Sequence, residues 1–162
     1  MNTSAVLVQP KQGIALRLPQ RPYTDGLHHC LAPILYSPET RIVAMAHVYD
    51  PAGPARYSAE RVIDSLIEDM IAKDPKVSSL PLRASLVGEL SISLRMPISR
   101  TLKVISGLQK YRIPIRHKVL GGQFWKRVCV LESAEIFVEE YLEDCVRRYG
   151  EFHAEKEHHL IL

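Results

Sequence analysis

No stretch of the 162 residues stays apolar long enough to cross a bilayer, which takes about 20 positions in a helix, so membrane insertion is not expected. Basic residues never gather into a run. Lys126-Arg127 and Arg147-Arg148 are isolated pairs, whereas a nucleic-acid reader concentrates its charge in a patch. The formal net charge of +3 therefore does not point to nucleic acid. Cysteine is scarce and unpaired: Cys30, Cys129 and Cys145 form an odd set without a recurring spacing, which fits free thiols in a reducing compartment rather than a disulfide framework. The opening MNTSAVLVQPKQG lacks the basic start and apolar centre of a secretory signal. The expectation is a cytoplasmic protein. No internal repeat or low-complexity linker interrupts the sequence, so one domain is expected over 1–162.

What the sequence does contain is an alternation of short apolar strands and helical stripes. Hydrophobic residues at 46% and charged residues at 24% are ordinary for a globular domain of this length, which is able to bury a core. Apolar pieces at 5–8 and 14–18 read as a first strand or hairpin. Ser58 is a candidate N-cap for a helix over 58–73, with Val62, Leu66 and Met70 beside Ile63, Ile67 and Ile71 on one broad stripe, and Asp74-Pro75 ends it. Residues 82–87 read as a buried strand ending at Gly88. Ser99 or Thr101 caps a second helix to about Tyr111, with Leu102, Ile105, Leu108 and Tyr111 facing inward. A strand from Ile113 toward Val119 turns at Gly121-Gly122 into the segment 125–131. From Ser133, the i+4 series Phe137, Tyr141, Cys145 and Tyr149 predicts a C-terminal helix over 133–149. A loose polar tail follows, with His153, His158 and His159 solvated among acidic residues. The fold class expected is α/β: a layered sandwich with a mixed β-sheet covered by helices.

The segment TDGLHHCLAPILYSPETRIVAMAH, residues 24–47, carries the chemistry. Strands at 30–37 and 41–49 flank Ser37-Pro38-Glu39-Thr40, a turn with proline at its second position. A hairpin centred between Pro38 and Glu39 sets Cys30 directly opposite His47, at a Cβ separation of roughly 5 Å. A thiol and an imidazole so placed share a proton, the arrangement a cysteine nucleophile needs. By spacing alone such a pair is more often a small buried hydrophobe beside a packed histidine.

The surrounding residues resemble the core motif of the CheD family of chemoreceptor glutamine deamidases: Gly-Leu-Gly-Ser-Cys, an apolar strand, a turn, a second strand and Met-Ala-His. Gly26, Leu27, Cys30, Pro38, Met45, Ala46 and His47 fall at matching places, and Thr24 stands where that family has an active-site threonine. A later segment, LQKYRIPIRHKVLGGQFWKRVCVLE, looks like the family's helix, short strand and Gly-Gly. The resemblance spans about 21–132. It implies a sandwich with its active site at the edge of the first hairpin. Cys30 would be the nucleophile, His47 the base and acid, and Thr24 the residue that orients the imidazole; no cofactor is implied.

The sequence departs from the family at several places. Arg112 stands where a helix-ending glycine is usual, and the family's final strand, at 135–138 here, follows a turn that lacks its glycine. His28-His29 replace Gly-Ser, Glu89 follows Gly88 where a second glycine is usual, and Arg100 stands at an asparagine position. His28 and His29 are candidate substrate-contacting residues at an altered entrance. The other readings are bland loop histidines, or a zinc site made of His28, Cys30 and His47, which lacks a fourth ligand at motif spacing. No metal is expected. Cys129 and Cys145 read as core cysteines. The implied function is deamidation of glutamine on chemoreceptor cytoplasmic helices. The alternative is a catalytically inactive module that binds a receptor or a CheC-like phosphatase.

Overall fold

The computed structural model describes residues 4–50, 52–89, 97–122, 124–142 and 154–162. Ten strands and two helices are laid out among them as β1 Ala5–Leu7, β2 Gly13–Arg17, β3 Arg21–Leu27, β4 Leu31–Ser37, β5 Ile42–Ala46, α1 Val62–Lys73, β6 Arg83–Gly88, α2 Pro97–Lys110, β7 Ile115–Leu120, β8 Trp125–Val130, β9 Glu135–Tyr141 and β10 Lys156–Ile161. They form two five-stranded sheets, β1-β3-β8-β9-β10 and β2-β5-β4-β6-β7. Each sheet is mixed: β1 runs parallel to β3 and β6 to β7, while the other pairings are antiparallel. The fold is thus an α/β sandwich, but with two sheets where the sequence suggested one.

The second sheet is the middle layer, which explains its unbroken apolar strands. Every residue of β4 and β5 is buried, as expected of strands covered on both faces. Leu31, Leu35, Ile42 and Ala44 pack beneath the helices with Ile63, Leu66, Met70, Val104 and Leu108. The alternate residues Cys30, Ala32, Ile34, Tyr36, Val43 and Met45 face the other sheet, meeting Leu27, Val128, Val130, Ile136 and Val138. At about 25 cal/mol per Å2 of apolar surface, these two cores are the main source of stability.

Several expectations need correction. The hairpin loop holds four residues, with Arg41 in the left-handed region at φ 55, so Tyr36 pairs with Val43 and Ile34 with Met45. The register is two residues from the one expected. A slip of two keeps every side chain on its face. The segments 5–8 and 14–18 do not form a hairpin, because β1 pairs with β3 and β2 with β5 in the other sheet. Helix α1 starts at Val62; the Ser58 hydroxyl donates to Gly53 O at 3.1 Å instead of capping. On α2 Val104, Leu108 and the half-buried Ile105 face inward, while Leu102 and, just past the helix, Tyr111 are exposed. Arg112 adopts φ 55 and lets Ile113 N–H reach Leu108 O at 3.0 Å, a helix ending usually made by glycine.

The largest correction is at the C-terminus. Residues 135–141 form β9 rather than a helix, and β10 replaces the loose tail. Ala134 at φ 63 makes the tight turn from β8 that glycine would make, and Ile136, Val138 and Glu140 alternate inward. The period of two prevails over the i+4 series because both β-branched positions meet the inter-sheet core. His158 bonds Glu140 Oε2 at 2.9 Å and His159 packs on Phe137 with ring centres 4.7 Å apart. Cys145, His153 and the Arg147-Arg148 pair lie outside the described residues.

Candidate active site

Thr24, Cys30 and His47 come from both sheets and face one interior. Thr24 lies on β3, fully buried opposite Val128 of β8. Cys30 immediately precedes β4 and His47 immediately follows β5. Between them Leu31 and Val48 exchange both backbone hydrogen bonds, at 3.1 and 2.8 Å. That bridge sets Cys30 opposite Tyr49 and His47 opposite Ala32, so the thiol and imidazole are diagonal neighbours on one face rather than directly opposed. Diagonal pairs lie within reach of long side chains.

The imidazole is held from one side. Thr24 Oγ1 donates its proton to Val8 O at 2.6 Å and also lies 2.8 Å from His47 Nδ1. A hydroxyl has a single proton, so Oγ1 accepts from Nδ1–H. This fixes the tautomer: Nε2 carries the lone pair, and it is buried with no hydrogen-bond partner among the described residues. It makes no hydrogen bond to Cys30. Burial pulls the His47 pKa down to about 4, against the opposing pull of Val8 O and the more distant Asp25. Burial also pushes the Cys30 thiol above its ordinary value, with Arg100 lowering it and Glu89 raising it. At neutral pH the resting pair is therefore thiol and neutral imidazole, not a preformed ion pair.

Gly88 anchors the floor of the site. It lies across from Leu31 at φ 123, and a Cβ there would sit 2.3 Å from Cys30 O. The next residue, Glu89, donates its N–H to that same oxygen at 2.8 Å. Glu89 and Arg100 thus meet at the nucleophile candidate. Arg100 Nη1 lies 3.9 Å from Glu89 Oε1 and donates to His29 O. In the sequence these two stand only as separate departures; the fold brings the first turn of α2 against the end of β6 and so joins them. Asp25 was also missed. Its carboxylate takes Arg127 Nη2 at 2.7 Å and Tyr141 OH at 2.5 Å, bracing β3 beside Thr24.

His28 is half-buried and stacks on Trp125, with ring centres 4.7 Å apart and planes 7° from parallel, while His29 is exposed. Trp125, at the start of β8, is thus the packing partner the His-His pair lacked in the sequence. Among the described residues, no group of three His, Cys, Asp or Glu side chains could hold a metal ion. Cys129 is half-buried beside Phe137 on the outward face of β8. No helix among the described residues is long and apolar enough to cross a membrane.

No protein-family model matches the sequence, and no curated protein matches it. The chain is distantly similar in structure to the Bacillus licheniformis hypothetical protein YfiH, at 10% identity and a TM-score of 0.41, over 64% of this chain and 49% of that chain. The similarity thus spans about half of that protein's length.

Proposed function

We propose that this chain is a cysteine-dependent protein-glutamine deamidase, a divergent member of the CheD family, acting on glutamine side chains of chemoreceptor cytoplasmic helices. The observation that carries the reading is the chain of hydrogen bonds from Val8 O through Thr24 to His47 Nδ1. It leaves Nε2 unpartnered on the face that Cys30 shares. An imidazole clamped at Nδ1 and bare at Nε2 is prepared to accept a proton.

In the reaction, Sγ of Cys30 bonds to the side-chain amide carbon as its proton passes to His47 Nε2. The N–H groups of His29 and Cys30, at the entry to β4, are the candidate donors to the oxyanion. The protonated Nε2 then returns its proton to the amide nitrogen, the C–N bond breaks and ammonia leaves. Water gives a proton to Nε2 and attacks the thioester. The C–S bond breaks, Cys30 recovers a proton, and glutamate is released.

A second reading has its own support. The absence of a hydrogen bond from Cys30 to Nε2 and the raised thiol pKa favour a non-catalytic module that binds a chemoreceptor or a CheC-like phosphatase. Mass spectrometry of receptor cytoplasmic domains incubated with the protein separates the two. A deamidase adds about one dalton at particular glutamines, and Cys30→Ala abolishes the gain while retaining binding. Receptor that is bound but never altered by the wild-type chain would establish the module reading instead.

A further inference from the structure

Glu89 is an unusual residue to find against a thiol. It follows a glycine at φ 123, itself stands at φ 44, and is only 4% exposed. Among the described residues neither carboxylate oxygen has a well-formed hydrogen bond, the nearest donor being the backbone N–H of Thr101 on α2, and Arg100 Nε is buried without a partner. The two charges approach to 3.9 Å, close enough for attraction but beyond hydrogen-bond distance. Buried polar groups in folded proteins nearly always find partners, and an exception asks for a reason. Here three such atoms adjoin one another. The backbone ties them to the nucleophile candidate: Glu89 N–H to Cys30 O, and Arg100 to the carbonyl of His29.

The unmet valences describe a ligand. Glu89 offers acceptors and needs N–H donors; Arg100 Nε offers a donor and needs a carbonyl oxygen. A primary carboxamide supplies both from one planar group. A carboxylate has no proton to offer and is repelled by Glu89, and an ester has an acceptor but no donor. We propose that Glu89 and Arg100 are a carboxamide-recognition pair beside Cys30, Glu89 accepting from the amide NH2 and Arg100 donating to its carbonyl oxygen. The inference rests on the deamidase reading for its substrate, and it adds why such a site would hold glutamine yet expel the glutamate it makes. It also gives one joint role to two residues that replace glycine and asparagine in the resembled motif.

The test uses alkylation of the intact chain, which needs no turnover. Iodoacetamide and iodoacetate differ only in presenting a carboxamide or a carboxylate. Their rate ratio at Cys30, measured by peptide mapping, is compared with that at N-acetylcysteine in the same buffer, held well above the Glu89 pKa of about 7 so that its carboxylate is ionised. The amide-to-acid ratio at Cys30 should exceed the free-thiol ratio by about tenfold or more, the scale of one charge-assisted hydrogen bond gained or opposed. Glu89→Gln, of equal size, should return it to the free-thiol value. A wild-type ratio equal to that of the free thiol overturns the inference whatever the variant does. So does a ratio unchanged by Glu89→Gln, or a Cys30 closed to both reagents, since recognition requires the pair to be reachable. A chain that keeps the ratio but deamidates nothing would sink the deamidase reading alone; a deamidase with a flat ratio would sink the pair alone.

Discussion

Thr24 has one hydroxyl proton, and Val8 O takes it; the orientation of His47 therefore depends on the oxygen lone pair that remains. Thr24→Val keeps the shape but removes both bonds. It should lower deamidation by about 10²–10⁴-fold, the usual size of a general-base contribution, and reduce stability by about 1–3 kcal/mol through the unpaired Val8 O and Nδ1. Thr24→Ser keeps the hydroxyl and should recover most of the activity. Steady-state kinetics with urea unfolding on the same samples would separate the two effects. Equal activity for Val and Ser would remove Thr24 from the account. Gly88 fails for a different reason. A methyl group there would stand 2.3 Å from Cys30 O, on a backbone at φ 123. Gly88→Ala should destabilise the fold by about 2–4 kcal/mol, readable as a lower urea midpoint with unchanged slope.

Elements differ in how plainly the sequence announces them. The strand pair beside Cys30 and His47 is legible because β4 and β5 are continuous apolar runs, and a four-residue loop in place of a tighter turn keeps each side chain on its face while moving the two residues from opposite to diagonal places. Helix α1 is legible from its stripe and from Pro75. The strand β9 is not, because Ser133, Phe137 and Tyr141 mimic a capped helix while the signal for the strand, inward Ile136 and Val138, depends on a sheet the local sequence does not show. Nor is β10, an edge strand with a polar sequence, which is held by Glu140. That carboxylate joins His158 at 2.9 Å to the buried Lys126 at 3.2 Å, and Lys126 also donates to Gly121 O at 2.5 Å. Glu140→Ala should cost about 2–4 kcal/mol by leaving the ammonium without its counter-charge. Adding Lys126→Met should recover much of that loss. Chemical denaturation of the three variants checks the order, and a Glu140→Ala protein as stable as wild type would show that β10 is held by other contacts.

Across the whole molecule, two buried titrations oppose each other. His47 has its pKa depressed from 6.5 to about 4 by burial. Between those values the unfolded chain binds more protons, so this group makes stability rise as pH increases. Glu89 has its pKa raised from 4.5 to about 7, also by burial. Between those values the folded chain binds more protons, so this group makes stability fall as pH increases. In the wild type the opposing slopes should flatten the profile where the windows overlap. His47→Gln should leave a protein that weakens as pH increases toward 7, and Glu89→Gln one that weakens as pH falls toward 4. Each effect should be on the order of 1–2 kcal/mol after allowance for solvent screening. Variants that track the wild-type curve would mean that neither group is as enclosed as its surroundings imply. Whether Cys30 carries the acyl group of a glutamine is read from the intact mass of the whole chain, quenched in acid during turnover of a receptor peptide. An adduct equal to the peptide less about 17 daltons, the ammonia released when the thioester forms, should appear on Cys30 and be absent from Cys30→Ala. Conversion of glutamine to glutamate with no such adduct, or undiminished in Cys30→Ala, would contradict that role for Cys30.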